Sequence, residues 1–238
     1  MKYEFVPGDE ITIPNGVKLK RIRSLVNITA IGVTSGDLGG YIESEKNLDN
    51  ISGNAWVYDN AKVYGDAWVS DDARVSGDAI VSGNANISGN TWVCGNTWVF
   101  GNAMVSGDAM VSGDANIYDN AKVSGNARVF GNAMVYGNAK VYGNTWVFDN
   151  AKVYGNAIVY GNANISGDNS IVWFTNVGRE NGILTVFNSI NNTITVTRGC
   201  FIGSINEFLE KSEKEHDDRT HIEYRMLIEV AYSRLTRT

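Results

Sequence analysis

The sequence predicts an all-β solenoid, a parallel β-helix of about six coils with a cap at each end. A six-residue period, Gly-Asn-Ala-x-Val-x, runs without interruption from about residue 53 to residue 167. The composition combines 26 glycines with two prolines and 43% hydrophobic residues, whereas disordered or collagen-like chains combine glycine with abundant proline. The glycines are therefore expected at fixed positions of an ordered backbone.

Residues 1–50 are predicted to form the N-terminal cap and lead-in of the solenoid. An uncapped end of a solenoid has unpaired backbone groups and an exposed apolar interior, so it needs a capping unit. Residues 18–23 alternate apolar and charged side chains as a strand does. Residues 35–43 resemble a degenerate first repeat and are expected to lead into the coils.

Residues 51–167 are predicted to form the coils. Each repeat has Ala, or Thr at 91, 97 and 145, followed two residues later by Val or Ile. Residues two apart in a strand lie on the same face, so the Ala or Thr and the Val or Ile are both expected inside. Gly or Asp followed by Asn or Asp forms the corner, because these residues tolerate positive φ and sharp turns. Three strands and three corners close a coil of 18 residues, which stacks residues 18 apart.

Residues 168–238 are predicted to form a small βββαα module. Residues 171–177, 183–187 and 193–197 have strand patterns, and residues 179–182 and 188–192 have turn composition. Ser204 and Glu207 have the spacing of a capping box at the start of a helix over residues 204–216. A second helix is expected over residues 218–235, with an apolar side formed by Ile222, Met226, Leu227, Val230 and Ala231.

The repeat resembles that of the hexapeptide-repeat family, which forms the left-handed parallel β-helix. Residues 57–62, Val-Tyr-Asp-Asn-Ala-Lys, show the family's aliphatic first residue and small fifth residue, and all nineteen units fit. The resemblance implies left-handed winding and, in its best-known members, acyltransferase activity. The Gly-Asn-Ala array followed by this C-terminal part also resembles proteins of tailed phages and prophages.

The chain lacks the histidine that acyltransferase chemistry of this family requires on a coil or adjoining loop. Its histidines are His216 and His221, both in the predicted helical part. We therefore expect no catalytic residues, no cofactor and no metal site, with an acyltransferase kept as an alternative. His216 and His221, together with the neighbouring Asp217 and Asp218, are interpreted as a solvated connection between helices rather than as metal ligands.

Charge and cysteine content exclude several other classes of protein. The net charge of −6 disfavours nucleic acid as a partner, since such binders need a basic surface. Two cysteines far apart form no disulfide framework. Cys94 falls in an outward position and is expected to be unreactive, and Cys200 is expected in the core of the C-terminal module. Without an apolar leader or spanning segment, the expected location is the cytoplasm, or the host cytoplasm for a phage protein, with no membrane partner.

The outward positions form columns of residues spaced by 18, and two columns stand out. One contains Trp and Arg at 56, 74, 92, 128 and 146, where Arg74 could stack between Trp56 and Trp92. The other has four consecutive aromatic residues. The candidate binding or interface residues are Trp56, Arg74, Trp92, Arg128, Trp146, Phe100, Tyr118, Tyr136 and Tyr154.

Three interpretations of these columns stay open. The aromatic residues could only stabilise adjacent coils, as cross-strand pairs do. They could form an interface for self-association into a dimer or trimer and for a macromolecular partner such as a host protein. Such an interface would suit a phage accessory protein that counteracts host defence. They could also sequester a nucleotide-like small molecule at subunit interfaces, with Arg74 or Arg128 at the phosphate.

Overall fold

The computed structural model describes residues 1–167, 169–190 and 193–236. It confirms the predicted fold class, a parallel β-solenoid followed by a small antiparallel sheet and two helices. The solenoid has about seven turns, one more than predicted. The additional turn comes from the lead-in, which pairs with the first coil and contributes Leu48 in a bridge to Val69.

The N-terminal part adds three longer strands to one side of the solenoid. These are β1 (Tyr3–Thr12), β2 (Lys18–Ser24) and β3 (Leu38–Ile42), with short 3₁₀ turns at Thr29–Ile31 and Glu45–Asn47. β1 pairs with β2 and β2 with β3, both antiparallel, and β3 then pairs in parallel with the first coil. The sequence analysis missed β1, because Pro7 and Gly8 interrupt its pattern; the structure accommodates them where the register shifts between Phe5 and Glu10.

Each repeat contributes one two-residue strand, formed by the outward residue and the Val or Ile that follows it. The nineteen strands are β4 (Trp56–Val57), β5 (Lys62–Val63), β6 (Trp68–Val69), β7 (Arg74–Val75), β8 (Ile80–Val81), β9 (Asn86–Ile87), β10 (Trp92–Val93), β11 (Trp98–Val99), β12 (Met104–Val105), β13 (Met110–Val111), β14 (Asn116–Ile117), β15 (Lys122–Val123), β16 (Arg128–Val129), β17 (Met134–Val135), β18 (Lys140–Val141), β19 (Trp146–Val147), β20 (Lys152–Val153), β21 (Ile158–Val159) and β22 (Asn164–Ile165).

Every third strand belongs to the same sheet, so the coils have three faces. The first face is the seven-stranded sheet β4-β7-β10-β13-β16-β19-β22, the second is the nine-stranded sheet that runs from β1, β2 and β3 through β5 to β20, and the third is the six-stranded sheet β6 to β21. Neighbouring strands pair in parallel with residues 18 apart in register, as in Trp92 with Met110. This register confirms the predicted 18-residue coil.

The interior and the corners follow the predicted assignment of the repeat positions. The Ala, Val and Ile positions, and Thr91, Thr97 and Thr145, are fully buried in one continuous core. The corner position has positive φ both at its glycines and at the four aspartates that replace glycine, Asp59, Asp71, Asp119 and Asp149. The sequence position therefore specifies the backbone conformation whether glycine or aspartate occupies it.

The corner asparagines bind one another along the solenoid. The Nδ2 of Asn84 donates to Asn102 Oδ1 at 2.9 Å, and the same bond repeats through Asn120 and Asn138 to Asn156. A second corner carries the shorter runs Asn90 to Asp108 and Asn126 to Asn162. Many corners thus link to the next coil through side chains as well as through the backbone.

The C-terminal part forms a four-stranded antiparallel sheet between the last coil and two helices. Its strands are β23 (Ile171–Val177), β24 (Gly182–Asn188), β25 (Ile194–Arg198) and β26 (Phe201–Ser204). The three predicted strands are confirmed within one residue, and β26 was missed. Alternation along β24 places Leu184 and Val186 in the helix-side core, whereas Phe187 joins the core of the solenoid. Residues 191 and 192 of the predicted second turn lie outside the described residues.

The helices α1 (Ile205–Glu215) and α2 (Asp218–Leu235) begin and end close to their predicted bounds. Ser204 and Glu207 form the predicted capping box of α1. The predicted apolar side of α2 is confirmed at Ala231, which is buried, and at Leu227, which packs against the core, but the other buried residues of the helix are Thr220, Tyr224, Ile228 and Leu235. Ile222, Met226 and Val230 are exposed instead. Neither described helix has the length and hydropathy needed to span a bilayer.

Candidate interaction surfaces

Trp56, a predicted interface residue, is not available at the surface. Its side chain is 0% exposed and packs edge-on against the Tyr3 ring at a centroid distance of 6.4 Å. The Tyr3 hydroxyl donates to the Leu48 carbonyl at 3.2 Å, and burial raises the pKa of this phenol. The N-terminal cap covers the first strand of the first face, which the sequence analysis did not anticipate because it missed β1.

The remaining Trp and Arg residues of that column lie along the first face, in register. The Arg128 guanidinium lies over the Trp146 ring, with its Cζ 5.4 Å from the ring centroid, a contact that the sequence analysis did not predict. Arg74 instead hydrogen-bonds Asn90 Oδ1 at 3.3 Å, and the Trp92 indole donates to Ser76 Oγ at 3.1 Å. The predicted stacking of Arg74 between Trp56 and Trp92 is therefore wrong, since one ring is buried and the other is hydrogen-bonded elsewhere.

Phe100, Tyr118, Tyr136 and Tyr154 form one continuous aromatic ladder beside the second face. Adjacent rings are parallel within 7°, with centroid distances of 4.8 to 5.1 Å. Shorter stacks occur at Phe130–Phe148 and Tyr142–Tyr160. The ladder and the Trp and Arg column lie at different strands of the coil, so the candidate residues form two separate surfaces rather than one site.

Two tryptophans of one coil are exposed without a stacking partner. Trp92 is 46% and Trp98 is 49% exposed, on the first and second faces, and neither contacts another aromatic ring among the described residues. Met104, on the third face of the same coil, is also exposed. The three most exposed tryptophans, Trp92, Trp98 and Trp146, each follow a threonine, a sequence signal that could have separated them from the others.

A groove of about 630 Å³ lies at the C-terminal end of the aromatic ladder, where β23 and α2 approach the last coils. Its described lining includes Tyr154, Trp173, Lys152, Val230 and Arg234. The sequence analysis missed it, although Trp173 follows Gly155 by 18 residues. The Trp173 Nε1 lies 3.6 Å from where a Cβ of Gly155 would be, so the indole packs against this corner of the last coils.

The histidines and cysteines occupy structural or peripheral positions. The His216 ring packs against Tyr224 at 5.5 Å, and His221 Nδ1 lies 3.3 Å from Ser212 Oγ, both at the connection between α1 and α2. Burial raises the pKa of the Cys94 thiol, which disfavours the reactive thiolate. The prediction for Cys200 is wrong, because it lies exposed in the turn between β25 and β26.

Comparison with known proteins relates the repeat, and nothing else, to a described family. The family model for the YdcK beta solenoid repeat matches residues 67–83, 121–136, 127–143 and 151–167. No curated protein sequence matches the chain. The matched segments lie within the coils and cover well under half of the chain, so the repeats are similar to YdcK-type solenoid repeats.

Proposed function

We propose that this protein is a non-catalytic binding protein whose rigid solenoid presents lateral aromatic surfaces for self-association and for a macromolecular partner. The observation that carries the proposal is the exposure of Trp92 and Trp98 on adjacent faces of one coil. The ladder rings stabilise one another along the rod, which accounts for their presence. Trp92 and Trp98 lack such a contact, and large aromatic rings of this kind are enriched at interface hot spots.

Self-association is the first use of this surface. The coils form a continuous scaffold without inserted loops between residues 53 and 167, so a second copy can approach either face closely. A fully buried aromatic side chain removes on the order of 150–250 Å² from water, and because Trp92 and Trp98 are 46% and 49% exposed, covering each of them removes about half of that area. We also propose that the solenoid winds left-handed and that the protein comes from a phage, as the family resemblances imply. A phage origin suggests a host protein as the partner.

The expected effect of Trp92→Lys with Trp98→Lys is dissociation. Lysine already occupies the same outward position at Lys62, Lys122, Lys140 and Lys152, so the fold should tolerate the change. Light scattering after size exclusion, together with native mass spectrometry, should show an oligomer for the unmodified protein and an association weakened by about tenfold or more in the double variant.

Asn164→Lys is the matched control. It also introduces a lysine, at the outward position of the first face, four coils away from Trp92. It should retain the oligomer. A monomeric unmodified protein at every concentration reached, or a double variant with an unchanged mass, would contradict self-association through this surface.

A second candidate function, sequestration of a nucleotide-like molecule, is supported by the Arg128 guanidinium over the Trp146 ring. Such a pair offers an aromatic face for a base and a cation for a phosphate. Titration calorimetry with a panel of nucleotides tests it, and binding that Arg128→Gln leaves unchanged would argue against this pair. Acyltransferase activity has no comparable support, since both histidines lie at the helix connection.

A further inference from the structure

We propose that the groove at the end of the aromatic ladder binds a planar aromatic anion, a ring carrying a phosphate or similar group. The proposal concerns a site within one chain, so it does not depend on self-association. It rests on three observations: a right-angled aromatic corner, two cations without a partner among the described residues, and a cavity of matching size.

The aromatic corner is formed by Tyr154 and Trp173. Their rings are perpendicular, at 90° with a centroid distance of 4.5 Å, and both line the groove. Tyr136, which also lines the groove, is parallel to Tyr154 at 5.1 Å. The perpendicular pair thus gives the groove two aromatic walls in different planes, against which a planar ring can pack.

The cations are Lys152 and Arg234, which enter the same groove from the second face of the solenoid and from α2. Within the described part of the chain, neither side chain forms an ion pair or a hydrogen bond, whereas Arg21 and Arg23 of the N-terminal cap pair with Asp9 and Glu4. No described acidic residue lines the groove. A phosphate placed there would accept charge-assisted hydrogen bonds, and arginine binds phosphate in a bidentate manner.

The size of the groove limits the ligand class. A volume of about 630 Å³ falls within the range of small-molecule sites and exceeds what inorganic phosphate alone would fill. The Val230 side chain and the ring of Trp173 add apolar lining to the groove. A nucleoside monophosphate and an aryl phosphate share the required chemistry, a planar ring linked to a dianion.

The test measures binding of 1-naphthyl phosphate, AMP, 1-naphthalenemethanol and inorganic phosphate to the full chain by titration calorimetry. We expect saturable binding of 1-naphthyl phosphate or AMP, and binding at least tenfold weaker for the neutral alcohol and for inorganic phosphate, because each lacks one of the two groups. If 1-naphthyl phosphate binds and AMP does not, the natural ligand is an aryl anion; the opposite order indicates a nucleotide.

Arg234→Gln and Lys152→Gln should each weaken binding of the phosphate probe by about tenfold, since each removes a hydrogen bond to a charged group. Lys140→Gln is the matched control: it removes a lysine from the same outward position on the third face and should not change the affinity. All three changes are at the surface of the fold, and circular dichroism confirms folding. Absence of saturable binding of both aromatic phosphates, or equal affinities in all three variants, would overturn the proposal.

Discussion

At the scale of the residue, the corner position is the most constrained in the molecule. Gly101 has φ of +73°, and a Cβ there would lie 3.0 Å from the backbone N and O of Asp119, one coil further on. Most L-residues rarely adopt this conformation, and a β-branched residue least of all. Asp119 itself has positive φ at 59°, so aspartate is the side chain that the corner accepts.

Gly101→Val should lower the free energy of unfolding by about 2–3 kcal/mol, because it forces a branched side chain into a left-handed conformation against the next coil. Gly101→Asp is the matched control and should lower it by less than half as much. Chemical unfolding followed by circular dichroism measures both. Equal stability of the valine variant and the unmodified protein would show that the corner does not need this conformation.

Three buried threonines replace alanine in the core, and they differ in their hydrogen bonds. The Oγ1 of Thr145 donates to the Tyr142 carbonyl at 2.8 Å, whereas the Oγ1 atoms of Thr91 and Thr97 are buried with no partner in the described part of the chain. A buried hydroxyl without a hydrogen bond loses its hydration and gains nothing in exchange. The same residue type therefore stabilises one coil and destabilises two others.

Thr97→Val should raise the free energy of unfolding by about 1 kcal/mol, since it removes an unsatisfied polar atom and keeps the volume. Thr145→Val, the same change at a hydrogen-bonded threonine, should lower it by about 1 kcal/mol. Comparison of the two denaturation midpoints isolates the hydroxyl. Changes of the same sign in both variants would contradict the difference in hydrogen bonding.

At the scale of the element, each helix of the C-terminal module begins at a side-chain cap. The backbone N–H of Ser204 donates to Glu207 Oε2 at 2.7 Å, and the N–H of Thr220 donates to Asp217 Oδ1 at 2.8 Å. These hydrogen bonds lower the pKa of Glu207 and of Asp217 below the ordinary value of each carboxyl. The ionised carboxylates therefore stabilise the helix starts.

This stabilisation should be complete at neutral pH and disappear in acid. Because the pKa of each carboxyl is lower in the folded state, its contribution is present above the unfolded pKa of about 4 and is lost as the pH falls through the folded value. Glu207→Gln with Asp217→Asn should unfold at lower denaturant than the unmodified protein at pH 7. The difference should diminish as the pH falls through the folded pKa values of Glu207 and Asp217, which lie below the ordinary ones.

Far-ultraviolet circular dichroism of the helices during denaturant titrations between about pH 2 and pH 7 measures this dependence. Glu229→Gln is the control, because Glu229 is an exposed carboxylate of α2 that caps no helix end. An effect of the double variant that stays constant with pH would contradict the assignment of the caps.

At the scale of the whole molecule, the solenoid could be predicted because one short pattern specifies it. The position of Ala, Val and Gly in each repeat determines which side chain is inside and where the chain turns, and stacking follows from the 18-residue count. β1 was missed because Pro7 and Gly8 break its alternation, and β26 because Phe201–Ser204 leads directly into α1. The orientation of α2 depends on packing against the sheet, which periodicity alone does not determine.

The candidate surfaces were predictable only in part, because the repeat pattern specifies the coils but not how the capping elements pack on them. The ladder follows from columns of residues spaced by 18, and the structure confirms it as a continuous stack. The burial of Trp56 depends on Tyr3, and the groove depends on where Trp173 and Arg234 meet the last coils. Contacts between the repeats and the capping elements have no counterpart in the repeat pattern.

The 18-residue register also has a mechanical consequence. Between the two caps, each coil is hydrogen-bonded to the coils before and after it, through backbone bonds such as Trp92 N to Ala109 O and through corner asparagines. A force that pulls the ends of the solenoid apart therefore detaches one coil at a time, and each releases about 60 Å of extended chain at roughly 3.3–3.6 Å per residue. The molecule should yield in equal steps whose length reports the repeat.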